Sequence, residues 1–409
     1  MIRHLLPATL LALLLAVPLA ADPGLPPAEN VQRALDEHPS VIAAHARLEA
    51  AQARADALRK GSAEFTVQGS YTRRDVSGGN QFDEYDAQLS RSFRLPGKAR
   101  LDREIGFYGT EVAENVAEDA KHEAALLLAA HWFDWLSAST QARIDQAAVS
   151  NYEAALAAVK RRQTLRDASQ LDVDRAEAAL ADARRALAQS SGLAMLARTR
   201  LEAQFPALTV PVDAPEVPQP VMADARLSQL GDLVVVNSHM IAAAEAESAR
   251  MSAVAGRAQA ERLADPTVGL RLFSEFGGLE RGAGVIVSMP LGGGHRRALA
   301  SEASAGASAA RADEQLARFD VSETAEADMA EARFRIATWQ RARESVEAQM
   351  AALEKLRRGH QLGEIDLPDL LLGEQMVHAA FRIEGEARTE AMRAIVKLQI
   401  DAHDLWLAD

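Results

Sequence analysis

The chain has 409 residues, of which 48% are hydrophobic and only 5% aromatic, and this length suits about two or three domains. The formal charge of -13 argues against a nucleic-acid partner, because affinity for phosphates depends on lysine and arginine contacts. The absence of cysteine excludes a disulfide framework, a thiolate metal site and a lipid anchor on an N-terminal cysteine.

The first 21 residues have the layout of a secretory signal peptide. Arg3 gives a positive start, residues 10–19 are largely apolar, and Ala20 and Ala21 are small enough for a cleavage site. Prolines interrupt the apolar stretch, which is also shorter than the ~20 residues that a transmembrane helix needs. We therefore expect an exported protein without a membrane helix in its mature part.

A helix predicted over residues 28–60 leads into a β-hairpin at residues 63–93. Apolar and polar side chains alternate from Phe65 to Thr72, and this period of two predicts strands with two different faces. Residues 77–80 supply the turn. The polar face of the hairpin would carry Thr66, Gln68, Ser70, Asp86 and Gln88.

The next segment predicts an unusually long helix. No proline interrupts residues 98–164, and ~67 helical residues at 1.5 Å each extend roughly 100 Å. After a tight turn at residues 165–172 the chain returns in another helix, whose seven-residue repeat predicts coiled-coil packing. The seam consists of Val173, Leu180, Leu187, Ala194 and Leu201, with the small residues Ala176, Ala183 and Ser190 between them.

The second half of the chain repeats this order. Residues 165–177 align with residues 362–374 at an offset of 197 residues, which pairs Asp172 with Asp369. A proline-rich stretch, expected to be extended, joins the halves. The predicted division is a signal peptide (1–21), a first repeat (22–204) with hairpin 63–93 and tip 165–172, a linker (205–222), and a second repeat (223–409) with hairpin 266–290 and tip 362–369.

Four strands per chain cannot close a barrel, and unpaired edge N–H and C=O groups are not tolerated in lipid. Three chains would supply twelve strands, an even number within the range of outer-membrane barrels. The sequence therefore predicts a mainly α fold with a small β part, in which a long α-helical coiled-coil barrel continues a 12-stranded membrane β-barrel formed by a trimer. The alternative is a soluble hairpin packed on a periplasmic coiled-coil scaffold.

Several short motifs resemble one family of proteins. Leu362-Gly363-Glu364-Ile365-Asp366 followed by Asp369-Leu370-Leu371 is similar to the periplasmic helix tip of the TolC-like outer membrane factors, and among them of the CzcC-like heavy-metal group. Residues 165–173 resemble the other tip, although Arg166 stands where the family often has glycine. His38-Pro39 is also typical of the family, and the resemblance covers nearly all of the mature chain.

The resemblance implies a passive homotrimeric channel, embedded in outer-membrane lipid and extending into the periplasm. Its tips would dock onto a periplasmic adaptor protein, and an inner-membrane transporter of the RND type would supply the energy. The CzcC-like group implies heavy-metal cations as cargo, with drugs or other small molecules as the alternative. No cofactor or resident metal is implied. The tip residues expected to contact the adaptor are Leu165, Arg166, Leu362 and Gly363.

The same family implies a pore constriction at the second tip. Asp369 matches a position where family members place an acidic residue at the narrow end of the tunnel. Three such carboxylates would favour cations and raise one another's pKa. Leu372 occupies the position of the family's frequent second acid, so Asp366 is the candidate substitute. The alternative is that both aspartates only start the returning helix, where carboxylates favour the positive dipole end.

A further pair of tip residues is a candidate gate latch. His360 lies where the family can carry a tyrosine bonded to an aspartate that corresponds to Asp172. A bond between His360 and Asp172 would hold the tip shut and weaken when either group changes protonation. The alternative is a solvated histidine on a basic stretch.

The sequence gives little support to an enzyme. His122-Glu123 followed by His131 lacks the spacing of a helical zinc motif, and the chain contains no nucleophile elbow. Residues 292–295 are glycine-rich, but no Lys-Ser/Thr follows them, so we interpret them as a strand-to-helix junction rather than an anion site.

Overall fold

The structure is a computed structural model that describes residues 24–407, and the predicted signal peptide lies outside the described residues. Each half of the chain contains two shorter helices, two strands and two long helices in that order. No helix within this range combines the length and the apolar character that crossing a membrane requires. The helices are α1 (Ala28–Asp36), α2 (Pro39–Lys60), α3 (Pro96–Thr164), α4 (Gln170–Gln204), α5 (Asp224–Val236), α6 (His239–Ala260), α7 (Gly294–Gln361) and α8 (Leu367–Asp401), and the strands are β1 (Phe65–Val76), β2 (Asn80–Ser92), β3 (Thr267–Glu275) and β4 (Glu280–Ser288).

Each half opens with two helices where the sequence predicted one. In the first half the break falls at Pro39, which has no backbone N–H to continue α1 but fits the first turn of α2. In the second half the side chain of Ser238 accepts a hydrogen bond from the Ile241 N–H at 3.3 Å and starts α6. The prediction of an unbroken opening helix is therefore wrong in both halves.

The four strands form one antiparallel sheet in the order β1-β2-β3-β4. A turn at residues 77–79 joins β1 to β2, and the 3₁₀ turn Phe276–Gly278 joins β3 to β4. The central contact is the long-range pairing of β2 with β3, which brings the two halves of the chain together. Within residues 24–407, β1 and β4 are the edges and have no further partner strand.

The helices that follow the strands are long rods. α3 has 69 residues and α7 has 68, so that each extends roughly 100 Å. α4 returns along α3 and α8 along α7, while α3 and α8 also touch and join the two pairs. The predicted coiled-coil seam is present. Val173, Ala176, Leu180, Ala183, Ser190 and Leu201 are buried, and Leu187 and Ala194 are half-buried.

The main hydrophobic core lies midway along the rods. Trp132 and Trp135 of α3 are buried there among residues of α1, α4 and α8. The proline-rich segment between α4 and α5 belongs to the same core, because Phe205, Leu208 and Val217 are buried in it. The predicted linker, which has no helix or strand over residues 205–222, is therefore packed onto the helices.

Candidate functional site

The sheet has two chemically different faces. Strand register places the predicted polar residues Thr66, Gln68, Ser70, Asp86 and Gln88 on one face. The opposite face is apolar and exposed, a surface that calls for a non-aqueous neighbour. At one end of this apolar face the rings of Tyr71 and Tyr85 lie 5.5 Å apart, a position typical of the aromatic girdle of lipid-facing strands. The exposed apolar side chains include Phe65, Val67, Leu89, Leu270, Leu272, Val285 and Val287.

A charged cavity of about 600 Å³ lies where the polar face meets the helices. Arg94 and Arg257 each donate to Asp102 at 2.8 Å, and the buried Lys98 lies 3.0 Å from Glu261. Burial disfavours the charge on Glu261, but hydrogen bonds from Arg257 and Lys98 outweigh it and hold its pKa at about 2. Glu261 is therefore ionised, and these ion pairs tie the strand ends to α3 and α6.

Both tips turn through a left-handed residue at equivalent positions. Arg166 has a φ of 62° and Gly363 a φ of 76°. The following residues, Asp167 and Glu364, each donate to the carbonyl five residues earlier, at 2.8 and 2.9 Å. This backbone costs a residue with a Cβ roughly 1–2 kcal/mol, so that Arg166 is strained where Gly363 is not.

The apolar side chains next to these residues are open to solvent at the ends of the rods. Leu165 is 79% exposed and Leu362 is 67% exposed. They lie at the ends of α3 and α7 farthest from the sheet. The four residues predicted to contact an adaptor are thus brought to one end of the molecule, where a partner can reach them.

The returning helices begin in different ways. At the start of α4 the Ser169 hydroxyl accepts from the Asp172 N–H at 3.1 Å, and the Asp172 carboxylate accepts from the Ser169 N–H at 3.0 Å. These backbone and side-chain hydrogen bonds from Ser169 hold the pKa of Asp172 below its usual range. The equivalent residues of α8 are Asp366 and Asp369, whose exposed carboxylates have no hydrogen bond or ion pair within residues 24–407.

The predicted latch between His360 and Asp172 is not formed within the chain. His360 Nδ1 lies 2.8 Å from the carbonyl oxygen of Ile365, and its Nε2 lies 2.9 Å from a guanidinium nitrogen of Arg162. Because a guanidinium can only donate, Nδ1 carries the proton of a neutral ring. Asp172 is meanwhile engaged by Ser169, so that Arg162 rather than Asp172 joins the two tips.

A buried ionic clamp, which the sequence analysis missed, fastens α3 to α8. Asp145 is completely buried and accepts from Arg382 at 2.6 Å and from His378 at 2.9 Å. Burial favours the neutral acid, but hydrogen bonds from Arg382 and Ser190 outweigh it and lower the pKa of Asp145. A cavity of about 860 Å³ between α3, α7 and α8 lies beside this clamp.

A second buried group, also missed, joins α3, α7 and α8. Lys397 contacts Asp328 and lies 3.1 Å from Asp401, which also lies 2.8 Å from His122 Nε2. Burial, followed by the hydrogen bond with Asp401, raises the pKa of Asp328 to about 6. Burial opposes the charge on Asp401, but hydrogen bonds from His122 and Asp328 bring its pKa to about 2. The two carboxylates therefore share one negative charge below about pH 6.

Histidines cluster beside this group. The ring of His403 lies 5.4 Å from that of His122 and 4.9 Å from that of His239. In the part of the chain that the structure describes, no three or more His, Asp or Glu side chains are placed to hold a metal ion.

Comparison with known proteins identifies the architecture. No protein-family model and no curated protein matches the sequence. The chain is similar to the outer-membrane channel OprN, with 20% identity and a TM-score of 0.68 over 93% of this chain and 90% of that one. It is also similar to the MtrE outer-membrane channel of Neisseria gonorrhoeae in its open state, with 16% identity and a TM-score of 0.73 over 92% and 88%. The chain has the fold of an outer-membrane channel.

A third structure with this fold is the outer membrane protein VceC of Vibrio cholerae, with 17% identity and a TM-score of 0.69 over 91% of this chain and 95% of that one. The outer-membrane-channel fold confirms the predicted fold class, which is mainly helical with a small antiparallel sheet. At sequence identities this low, the structural similarity shows the fold alone. The placement in the CzcC-like group and the roles of the tip residues remain predictions.

Proposed function

We propose that this chain forms a trimeric outer-membrane channel of a tripartite efflux system and conducts substrates passively from the periplasm to the exterior. The observation that carries the proposal is the sheet, which has an exposed apolar face, a polar face and two edges without partners among the described strands. A single copy cannot satisfy the edge N–H and C=O groups of β1 and β4 in lipid. The outer-membrane-channel fold supports the same assignment.

Three copies give a closed barrel of twelve strands, in which β4 of one chain pairs with β1 of the next. The apolar face then meets the lipid, and the polar face, with its ion pair between Arg271 and Asp86, lines a wet lumen. Below the strands, the paired rods of three chains continue the wall into the periplasm as a helical tunnel. An N-terminal signal peptide at residues 1–21 would deliver the protein there.

The periplasmic end of this tunnel is the proposed docking site for partners. The exposed Leu165 and Leu362, with the left-handed Arg166 and Gly363 beside them, form an apolar and polar tip that suits a periplasmic adaptor protein. An inner-membrane transporter of the RND type would drive the transport. His360 contributes through its bond to Arg162 and not through a latch to Asp172 within the same chain.

Asp369, with Asp366 one turn earlier, forms the proposed pore constriction. Both carboxylates are exposed and unbonded in the described part of the chain, in contrast to the capped Asp172. Brought together by three chains, they would attract cations, repel anions and hold a divalent ion between chains.

Single-channel recording in a planar bilayer tests this constriction. Asp369→Asn should lose cation preference and sensitivity to divalent block from the periplasmic side, with a thermal stability near that of the wild type. Asp172→Asn is the matched control, because it removes a charge from the equivalent tip position and should keep the selectivity. Unchanged selectivity in Asp369→Asn would assign that carboxylate to the helix start, and the same recording on Asp366→Asn would locate the ring one turn away.

Heavy-metal cations are the proposed cargo. A duct takes most of its selectivity from the transporter that feeds it. Two features of this chain nevertheless favour cations, namely the proposed acidic constriction and the resemblance of the sequence to the CzcC-like group. A deletion strain should therefore become sensitive to cobalt, zinc, cadmium or copper. Unchanged metal tolerance with increased antibiotic sensitivity would instead assign drugs or other small molecules as the cargo.

Fractionation and cross-linking test the channel itself. The mature protein should cross-link as a trimer in detergent and should stay with outer membranes after a high-salt wash. A monomeric protein released entirely into the periplasm would contradict the channel and favour a coiled-coil scaffold.

A further inference from the structure

Two arginines at the junction of sheet and helices have no part in the channel described so far. Arg262 follows α6, and Arg297 lies near the start of α7. Both side chains are exposed, and among residues 24–407 neither guanidinium has a hydrogen-bond or carboxylate partner. They share one groove of about 390 Å³ between α6 and α7, lined by Gln259, Arg262, Arg297, Ala300, Ser301 and Ser304.

Among the other cations that line the pockets of this junction, only Arg54 has no carboxylate partner within residues 24–407. Arg94 and Arg257 bind Asp102, and Lys98 lies between Glu261 and Asp265. Arg262 and Arg297 differ from these residues because both guanidiniums lie in one groove without a carboxylate partner. Two such guanidiniums form an anion-binding arrangement that the chain itself leaves unsatisfied.

The groove opens on the side of the apolar face of the sheet. Ser92 belongs to the polar face by strand alternation, and it lines the charged cavity together with Arg257 and Glu261. At 100° per residue, Gln259 lies about 160° around α6 from Arg257, and Arg262 lines the same groove just beyond the end of this helix. The groove is therefore on the far side of α6 from that cavity and faces outward.

The groove also lies close to the level at which the apolar face ends. Arg262 precedes the first residue of β3 by five residues, a distance of at most roughly 17 Å along the chain. Leu263 and Leu291, which are 56% and 93% exposed, lie between the groove and the strands in sequence. Headgroup phosphates lie within several Å of the hydrocarbon boundary, which the long arginine side chains can reach.

We propose that this groove binds the phosphate of an anionic phospholipid in the periplasmic leaflet of the outer membrane. Arg262 and Arg297 supply two positive charges and planar hydrogen-bond donors, and the amide of Gln259 lies in the same groove. The two positive charges of these guanidiniums exceed the single negative charge of one phosphodiester. The groove therefore favours a headgroup with a net negative charge over a zwitterionic one. The proposal rests on the proposed location of the strands in the outer membrane.

The test counts lipids bound to the purified full-length protein in detergent by native mass spectrometry. Short-chain phosphatidylglycerol should bind once per protomer and more tightly than phosphatidylcholine. Arg262→Gln and Arg297→Gln should each weaken this binding roughly fivefold, and the double variant roughly 25-fold. Arg311→Gln is the matched control, because Arg311 is exposed and unpaired on the same helix roughly 21 Å further along.

Each alternative outcome is distinct. Equal weakening by Arg311→Gln would reduce the effect to general surface charge, and equally effective competition by inorganic phosphate would assign the groove to free phosphate. Either result overturns the lipid site. Dye release from vesicles is measured on the same preparations. A protein that releases dye but shows no preference for phosphatidylglycerol overturns the lipid site alone. A protein that releases no dye contradicts the channel, and the lipid site falls with it because no leaflet would reach the groove.

Discussion

Asp328→Asn should make the protein more stable at pH 8 and leave its stability nearly unchanged at pH 4. The carboxyl group of Asp328 has an ordinary pKa of 3.8, which burial and the hydrogen bond with Asp401 raise to about 6. Asparagine matches the protonated acid in size and cannot ionise. The variant therefore keeps, at every pH, the neutral group that the folded protein prefers at this position.

The direction of this stability change follows from proton binding to Asp328 in the folded and unfolded states. Between about pH 4 and pH 6 the folded protein keeps a proton on Asp328 that the unfolded chain has lost, so the free energy of unfolding falls as the pH rises through this window. A shift of about two pKa units corresponds to about 3 kcal/mol. For a chain of this length, with an unfolding entropy of roughly 0.8 kcal/mol/K, the gain at pH 8 is about 4 °C in Tm.

Thermal unfolding followed by tryptophan fluorescence measures this difference, at equal protein and detergent concentrations because the oligomeric state affects Tm. Asp401→Asn is the matched control with the opposite sign. Because the folded protein lowers the pKa of Asp401 to about 2, removing its charge should destabilise the protein at pH 8. An Asp328→Asn variant less stable than the wild type at pH 8 would show that the ion pair with Lys397 dominates, and would refute the reasoning.

Two further predictions concern the tips and the buried clamp. Arg166→Gly should stabilise the first tip by about 1 kcal/mol because glycine tolerates the left-handed backbone, and Gly363→Ala should destabilise the second tip by about as much. Hydrogen exchange of the tip amides measures both effects. Exchange rates that match those of the wild type in both variants would contradict the backbone strain at these positions. Arg382→Gln should destabilise the protein by about 3 kcal/mol because it leaves the buried charge of Asp145 poorly compensated. Thermal unfolding checks this, and adding Asp145→Asn should recover part of the loss.

The features that could be predicted from the sequence are those that a local pattern specifies. Alternation from Phe65 to Thr72 specified a strand with two faces, and the seven-residue seam starting at Val173 specified a coiled coil, because each depends on side chains a few positions apart. The division at Pro39 was missed although proline marks it, since proline also suits the first turn of a helix and so does not by itself show that a separate helix precedes it.

The contacts that could not be predicted join residues far apart in the sequence. Asp145 meets His378 and Arg382, which are separated from it by more than 230 positions, and the only local signal is the spacing of one helical turn between these two partners. The absence of a His360–Asp172 bond within one chain has a related reason. Which group reaches His360 depends on how the two tips pack, and Arg162 lies closer than Asp172 does.

In the proposed trimer, the unequal starts of α4 and α8 would determine the symmetry of the electric field at the end of the tunnel. A trimer of a duplicated chain has six helical hairpins there, whose matching left-handed turns give a backbone with nearly six-fold symmetry. Asp172 is held against the N-terminus of α4, whereas Asp366 and Asp369 project unbonded from α8. An approaching ion would therefore meet three acidic sectors that alternate with three in which the carboxylate is bound to its own helix. In that proposed assembly, the duplication would give the backbone of the tunnel end nearly six-fold symmetry, and the different capping sequences of α4 and α8 would limit its unbound carboxylates to three-fold symmetry.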